Sequence, residues 1–141
     1  MRFFYLEPEV AGGLGSNTEM DVTVHPPLVK KLHYEFAGWL GDVVLESFPS
    51  FIITEVARTR LSNCGMTGAG FDSVELSTSD EFKELQPHCT LPTFYWFRVE
   101  GRSGYDDFGI APDHRLVVSE RALNELAALG ISHAVVTPFE R

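Results

Sequence analysis

The sequence is poor in cysteine and has no long hydrophobic run. Its 141 residues include two cysteines, Cys64 and Cys89, and neither stands in a CxxC pair. This spacing excludes a disulfide framework and predicts idle thiols in a reducing compartment. The apolar run "RFFYL" ends at Glu7 and Pro8, so it is too short for a signal sequence or a membrane span. We therefore expect a cytoplasmic protein without a membrane partner.

Basic residues are also scarce. Lysine and arginine number 11 against 20 aspartates and glutamates, which gives a formal net charge of −9. A general nucleic-acid binder needs the opposite sign to neutralise phosphates, and an anionic membrane surface is disfavoured for the same reason. The acidity can serve solubility alone, or it can attract a basic protein partner.

Motifs that would identify a reaction are missing. There is no GxSxG, no GxxxxGK and no HExxH, and the DFG triplet at 107–109 lacks the other segments of a protein kinase. A zinc site built from Cys64, His88 and Cys89 lacks a fourth ligand. Asp106 and Asp107 could bind a hard cation, but they also suit a turn rich in glycine and aspartate. The sequence thus predicts no catalytic residue, no metal and no cofactor.

The hydrophobic pattern predicts a single α+β domain over residues 1–141, with a mixed, mainly antiparallel sheet and two or three short helices. "LHYEF" alternates, which places Leu32, Tyr34 and Phe36 on one face of a strand. Thr78 and Glu81 have the spacing of a capping box that opens a short helix. The remaining ranges are predicted as strands at 2–6, 20–24, 51–54, 69–76 and 93–100, a loop at 11–19, and a turn with a short strand or helical turn at 37–50.

One unit is written twice. Residues 51–76 align with 116–141 without a gap at an offset of 65, and six of the 26 positions are identical. Thr54 and Ser119 can cap a helix, and Gly65 and Gly130 can end one. These are also the residues that any strand–helix–strand unit favours, so duplication and convergence both remain open. In either case we predict a strand, a helix of two to three turns and a strand in each copy.

Acidic side chains are concentrated between the two copies, where Lys83 is the only nearby opposing charge. This segment is either a solvated edge or a docking surface for a basic protein, with aromatic side chains as anchors. The predicted partner-binding residues are Asp72, Glu75, Asp80, Glu81, Glu84, Trp96, Tyr105, Asp106 and Asp107.

The segments "FAGWLGDVVLESFPSFIITE", "LSNCGMTGAGFDSVEL" and "RLVVSERALNELAALGISHAVVTPFE" resemble the small immunity proteins of bacterial polymorphic-toxin systems. Those families often carry a strand, then "[ST]E", a short helix, a glycine and a final strand. One branch has two CxxCG motifs, of which this sequence keeps only "NCG" and "HCT". The resemblance covers about half of the chain. It implies a cytoplasmic protein that is no enzyme and binds one cognate toxin.

The leading hypothesis is therefore an immunity-type protein that neutralises a cognate toxin, expected to be basic, by covering its active site. The alternative is a small enzyme or ligand-binding protein whose pocket is lined by His88, His114 or Asp106. A third hypothesis is a homo-oligomeric module that associates through the aromatic strand 93–100.

Overall fold

The fold is α+β, as predicted, in a computed structural model that describes residues 1–140. The three helices in this range are α1 (Glu55–Asn63), α2 (Asp80–Leu85) and α3 (Glu120–Leu129). The strands form four sheets instead of one, and most neighbours are antiparallel. In chain order the strands are β1 (Phe3–Glu7), β2 (Gly12–Leu14), β3 (Glu19–Asp21), β4 (Leu28–Lys31), β5 (His33–Phe36), β6 (Val44–Ser47), β7 (Ser50–Thr54), β8 (Ala69–Asp72), β9 (Glu75–Thr78), β10 (Phe94–Val99), β11 (Phe108–Ile110), β12 (Leu116–Ser119) and β13 (Val135–Phe139).

The two longer helices begin where the repeated sequence predicts. The Thr54 hydroxyl accepts a hydrogen bond from the Ala57 amide at 3.3 Å, and the Ser119 hydroxyl accepts one from the Ala122 amide at 3.2 Å. Each bond satisfies one of the amide groups that the first turn of a helix leaves without a partner. Gly65 has φ +64°, a left-handed conformation that glycine adopts without strain after α1.

The two copies form matching halves of the fold. The first unit is a sheet in the order β6-β7-β10-β8 with α1, and the second is a sheet in the order β11-β12-β1-β13 with α3. In the first unit the central strand β10 runs antiparallel to β7 and β8, and in the second unit the central strand β1 runs antiparallel to β12 and β13. The two strands that flank each central strand are therefore parallel to each other, as in a split β-α-β motif. The prediction of one shared supersecondary shape is confirmed for the residues described; Arg141, which ends the second copy, lies outside them.

The strand registers of the two units also agree. Tyr95 of β10 pairs with Ile53, and Phe4 of β1 pairs with Val118, which is 65 positions after Ile53. Two residues further along each central strand, Phe97 of β10 pairs with Phe71, and Leu6 of β1 pairs with Val136. Phe71 and Val136 are again 65 positions apart. The units therefore match residue by residue, not only in the order of their elements.

The second unit is discontinuous along the chain. Its central strand, β1, precedes the whole of the first unit, whereas its other strands, β11, β12 and β13, follow it. The strands of the first unit, from β6 to β10, all lie within one continuous segment. The first unit is therefore inserted between the central strand of the second unit and the rest of that unit. Because β1 pairs with β12 and β13 across this insertion, the C-terminal segment cannot complete the sheet of the second unit alone.

One hydrophobic core lies between the two units and their helices. Equivalent side chains meet there, 65 positions apart. The helices lie side by side, and Arg60 of α1 forms an ion pair with Glu125 of α3 at 2.8 Å, again at equivalent positions. The buried equivalent pairs are Phe51 and Leu116, Ile53 and Val118, Ala57 and Ala122, and Leu61 and Leu126.

Two buried carboxylates join the units crosswise. Asp42 lies just before β6 and accepts a hydrogen bond from the His133 amide, in the loop after α3, at 2.9 Å. Asp107 lies just before β11, 65 positions later, and accepts one from the Thr67 amide, in the loop after α1, at 2.9 Å. Each unit therefore fixes the helix-to-strand loop of the other.

The outer faces of the two units differ. A three-stranded sheet in the order β2-β5-β9, together with α2, covers the outer face of the first unit. Tyr34 and Phe36 of this layer pack against Ile52 and Phe94 of the first unit. The outer face of the second unit carries only a small cluster around Val117. We refer to residues 9–41 and 73–92 as the added layer.

Four local predictions are wrong. The single strand predicted at 69–76 is interrupted after Asp72, so that β8 and β9 belong to different sheets. Residues 12–14, expected in a loop, form β2; Gly12 lies so close to the carbonyl oxygen of Glu35 that a side chain would overlap it, so glycine here permits strand pairing. The strand predicted at 20–24 pairs over Glu19–Asp21 instead. Helix α2 is capped by Ser79 and not by Thr78, since the Ser79 hydroxyl accepts from the Phe82 amide at 3.1 Å.

Candidate functional site

Helix α2 carries part of the predicted acidic surface. Asp80, Glu81 and Glu84 are exposed, and within residues 1–140 none of the three forms an ion pair. Phe82 is buried and anchors the helix to the core of the added layer. Lys83 is the single cation of the helix. The outward face of α2 thus presents three carboxylates that are available to a partner.

The acidic side chains on the neighbouring strands have partners within the chain. Asp72 lies 3.5 Å from Arg98. Glu75 accepts a hydrogen bond from Asn17 at 2.8 Å and lies 3.6 Å from Lys31. The hydrogen bond from Asn17 is the main reason that the pKa of Glu75 falls below its ordinary value. These two carboxylates stabilise the fold locally and are less available than those of α2.

The predicted group at 105–107 divides between surface and interior. Tyr105 is exposed, with the Arg102 guanidinium 5.1 Å from its ring centre. Asp106 accepts a hydrogen bond from the Arg102 amide at 2.7 Å and closes a turn. Asp107 is buried, so the prediction that it contacts a partner is not supported by its position.

Asp107 is instead the centre of a hydrogen-bond network. Arg121 donates to its two carboxylate oxygens at 2.8 and 2.6 Å, and the Ser119 hydroxyl donates at 2.6 Å. Burial alone would raise the pKa of Asp107, but these donors and the Thr67 amide hold it well below its ordinary value. The carboxylate is therefore ionised and serves to join the two units.

The predicted aromatic anchor is part of the core. Trp96 is 8% exposed and packs in the cluster between the first unit and the added layer. Strand β10 pairs on both sides, with β7 and β8, so it offers no free edge. Association through a strand edge at residues 93–100 therefore has no support in the fold, and formation of a homo-oligomer stays a prediction.

An apolar groove that the sequence did not predict lies beside α2. Val10, Leu40 and Leu85 are each 67% exposed and line it together with the half-buried Trp39. Its volume is about 700 Å³. The signal in the sequence is the pair Trp39-Leu40 between two glycines, in the segment predicted as a turn with a short strand or helical turn.

The loop that carries Leu40 is held by side chains on two sides. The buried carboxylate of Glu9 accepts hydrogen bonds from the Leu40 amide at 2.8 Å and the Asp42 amide at 3.2 Å. Gln86 accepts from the Trp39 amide at 2.6 Å and donates to its carbonyl at 3.0 Å. Gly41 has φ +105°, which lets the chain reverse between these contacts. Leu40 is thus kept outward by a fixed backbone.

One serine and one histidine lie at the distance of a nucleophile and its base. The Nε2 atom of His33 is 2.7 Å from the Ser77 hydroxyl. However, Nδ1 accepts a hydrogen bond from the Asn17 amide at 3.1 Å, so in the neutral ring the proton resides on Nε2. Nε2 then donates to Ser77 and cannot take its proton, which is the reverse of what a catalytic base requires. The pair is therefore structural in this arrangement.

The residues of the alternative hypothesis have different neighbours. The His114 ring lies 5.5 Å from that of His25 and 6.2 Å from that of Phe48. Asp106 belongs to the turn with Arg102, and His88 lies in the exposed segment after α2. Across residues 1–140, no group of three histidine, cysteine, aspartate or glutamate side chains is arranged to hold a metal ion. Both cysteines are free thiols.

No protein-family model matches the chain, and no curated protein matches it in sequence. The longest of the helices in the described part of the chain has ten residues, and none is long and apolar enough to cross a membrane.

Proposed function

We propose that the protein is a cytoplasmic, immunity-type protein that binds a cognate basic toxin and neutralises it by covering the active site of that toxin. The observation that carries the proposal is that α2 has three exposed, unpaired carboxylates and that its last residue, Leu85, lines an exposed apolar groove. An apolar centre with a charged rim is the usual anatomy of a protein–protein interface. The resemblance of the sequence to immunity proteins supports the same function.

The charges of α2 have a kinetic role in this proposal. Because Asp80, Glu81 and Glu84 have no cationic partner within the described chain, their field extends into solvent. Such a field speeds the encounter with a partner of opposite charge and repels acidic proteins. The formal net charge of −9 adds to this effect.

The test is co-expression with the toxin gene that neighbours the gene of this protein. The wild-type protein should restore growth and form a complex that survives gel filtration. The triple variant Asp80→Asn, Glu81→Gln and Glu84→Gln should slow association by about tenfold or more at low salt. If the wild-type protein gives neither rescue nor complex, the proposal fails.

A matched control removes three exposed carboxylates elsewhere on the surface. The triple variant Glu7→Gln, Glu19→Gln and Glu140→Gln has the same net charge as the α2 variant. It should associate at close to the wild-type rate. Equal slowing in both variants would mean that net charge, and not the α2 surface, directs the encounter.

A further inference from the structure

We infer that the groove beside α2 receives a large apolar side chain of the partner protein, flanked in the partner sequence by lysine or arginine. This inference rests on the proposed function and specifies the chemistry of the contact. The groove is formed by three elements of the added layer: the segment after β1, the loop 37–42 and the end of α2.

Three exposed large apolar side chains meet in this groove. A single exposed leucine or valine is common on protein surfaces. Here Val10, Leu40 and Leu85 come from three separate parts of the chain and line one groove together with Trp39. Converging apolar side chains around an aromatic ring are typical of the centre of a binding site, where a few residues contribute most of the affinity.

Hydrogen bonds within the chain also hold the loop of the groove that carries Leu40. The carboxylate of Glu9 is buried and has no cationic partner among residues 1–140; it is satisfied by the amides of Leu40 and Asp42. Burial of a carboxylate costs free energy unless hydrogen bonds compensate it. The carboxylate of Glu9 makes its hydrogen bonds to the loop in which Leu40 faces solvent. Gln86 holds the same loop from α2. A preformed loop reduces the entropy lost on binding.

The charges around the groove determine what can flank the inserted side chain. Glu9 is the only ionisable residue among those that line the groove. Glu81 stands four residues before Leu85 on α2, so both lie on one face of the helix, and Glu84 is adjacent to Leu85. An apolar side chain between lysines or arginines would place each cation near a carboxylate, whereas acidic neighbours would be repelled.

The same charges disfavour a second copy of this chain as the occupant. In a symmetric dimer through the groove, the same patch of both copies would meet. Glu81 and Glu84 of each copy would then approach those of the other, and like charges at an interface cost free energy. A basic partner has no such cost.

The test is an NMR titration of the full-length protein with the peptide acetyl-Lys-Lys-Leu-Lys-Lys-amide. The chain has two tryptophans, and the indole N–H of Trp39 donates to the Asp42 carbonyl beside the groove. We expect saturable shifts of this indole signal and of the Leu40 and Leu85 amide signals. Peptides with serine in place of leucine, or glutamate in place of lysine, should bind at least about tenfold more weakly.

Variants of the protein complete the titration. Leu40→Ser and Leu85→Ser lie on different elements and are both exposed, so the fold should persist in each. Both should weaken binding of the leucine peptide. Leu28→Ser, an exposed leucine on β4, is the control and should bind as the wild type does. Equal binding of the leucine and serine peptides would overturn the inference, and so would concentration-dependent shifts of the same signals without peptide, which would indicate a second copy.

The inference and the proposed function can fail separately. If the peptide binds the groove but the neighbouring toxin is not neutralised, the proposed function fails and the groove remains a binding site for basic apolar segments. If the toxin is neutralised equally by the wild-type protein and by Leu40→Ser and Leu85→Ser, the groove inference fails and the proposed function stands.

Discussion

The two halves of this fold share one scaffold and differ on their outer faces. In both, a hairpin, a capped helix and a final strand surround a central strand in the same register. The outer face of the first unit is covered by the added layer, which also forms the groove and carries α2. On the outer face of the second unit, the described residues form a small apolar cluster of Phe3, Ala111 and Val117 with Tyr5 and Phe139. Residues that repeat therefore build the scaffold, and the candidate binding residues lie where the halves differ.

The crossed carboxylates show a second asymmetry. Asp107 is bound by Arg121, but the position equivalent to Arg121 in the first unit is Val56. Asp42 therefore has no corresponding arginine. The contacts of Asp42 and Asp107 with a backbone amide of the other unit are thus equivalent, but only that of Asp107 is supported by an arginine. Variants at the two aspartates can therefore separate the stability due to the shared backbone contact from the stability that Arg121 adds.

The largest effect is expected in the two central strands. Phe97 of β10 and Leu6 of β1 occupy equivalent buried positions in the shared core. Phe97→Ala should lower the free energy of unfolding by about 3–5 kcal/mol and Leu6→Ala by about 2–5 kcal/mol. Because the two units share one hydrophobic core, urea denaturation should remain a single transition in both variants. An exposed-site control, Val22→Ala, should change stability by less than about 0.5 kcal/mol.

A biphasic transition in either core variant would contradict cooperative unfolding through the shared core. It would mean that one unit unfolds while the other keeps its sheet, as two independent halves would.

The next largest effect concerns the crossed carboxylates. Asp107→Asn loses charge-assisted hydrogen bonds from Arg121 and should cost about 2–4 kcal/mol. Asp42→Asn keeps an oxygen that can accept from the His133 amide and should cost only about 1 kcal/mol. Chemical denaturation at neutral pH measures both. Equal costs would show that Arg121 adds nothing to the contact.

The dependence of stability on pH sharpens the same comparison. The pKa of Asp107 in the folded protein lies below that in the unfolded chain, so on acidification the unfolded chain binds a proton first. The contribution of Asp107 to the free energy of unfolding is complete above its pKa of about 3.9 in the unfolded chain. It is lost as the pH falls through its lower pKa in the folded protein. The stability difference between the wild type and Asp107→Asn should therefore be constant from about pH 5 to 8 and shrink below about pH 4. A difference that does not change in acid would contradict the assigned ionisation.

The local elements were predictable from sequence, because their causes lie within a few residues. The caps at Thr54 and Ser119 and the glycine after α1 follow from helix-end chemistry that short segments carry. The acidic face of α2 was also predictable, since Asp80, Glu81 and Glu84 belong to one short helix.

Long-range features were not predictable in this way. Strand β2 depends on the approach of Gly12 to Glu35, and the burial of Trp96 depends on the layer that covers it. The place of β1 at the centre of the second unit depends on pairing between segments more than a hundred residues apart, as for β1 with β12. The groove was not predicted from the sequence, because Val10, Leu40 and Leu85 come from separate segments of the chain.

The scaffold repeats, and we propose that binding belongs to the added layer of the first unit. The most direct test is hydrogen exchange of the full-length protein with and without the proposed cognate toxin. We expect added protection in residues 37–41 and 80–86, with little change at the outer face of the second unit around Tyr5 and Phe139. Protection of that second face, with none in α2 or the loop 37–41, would contradict this expectation.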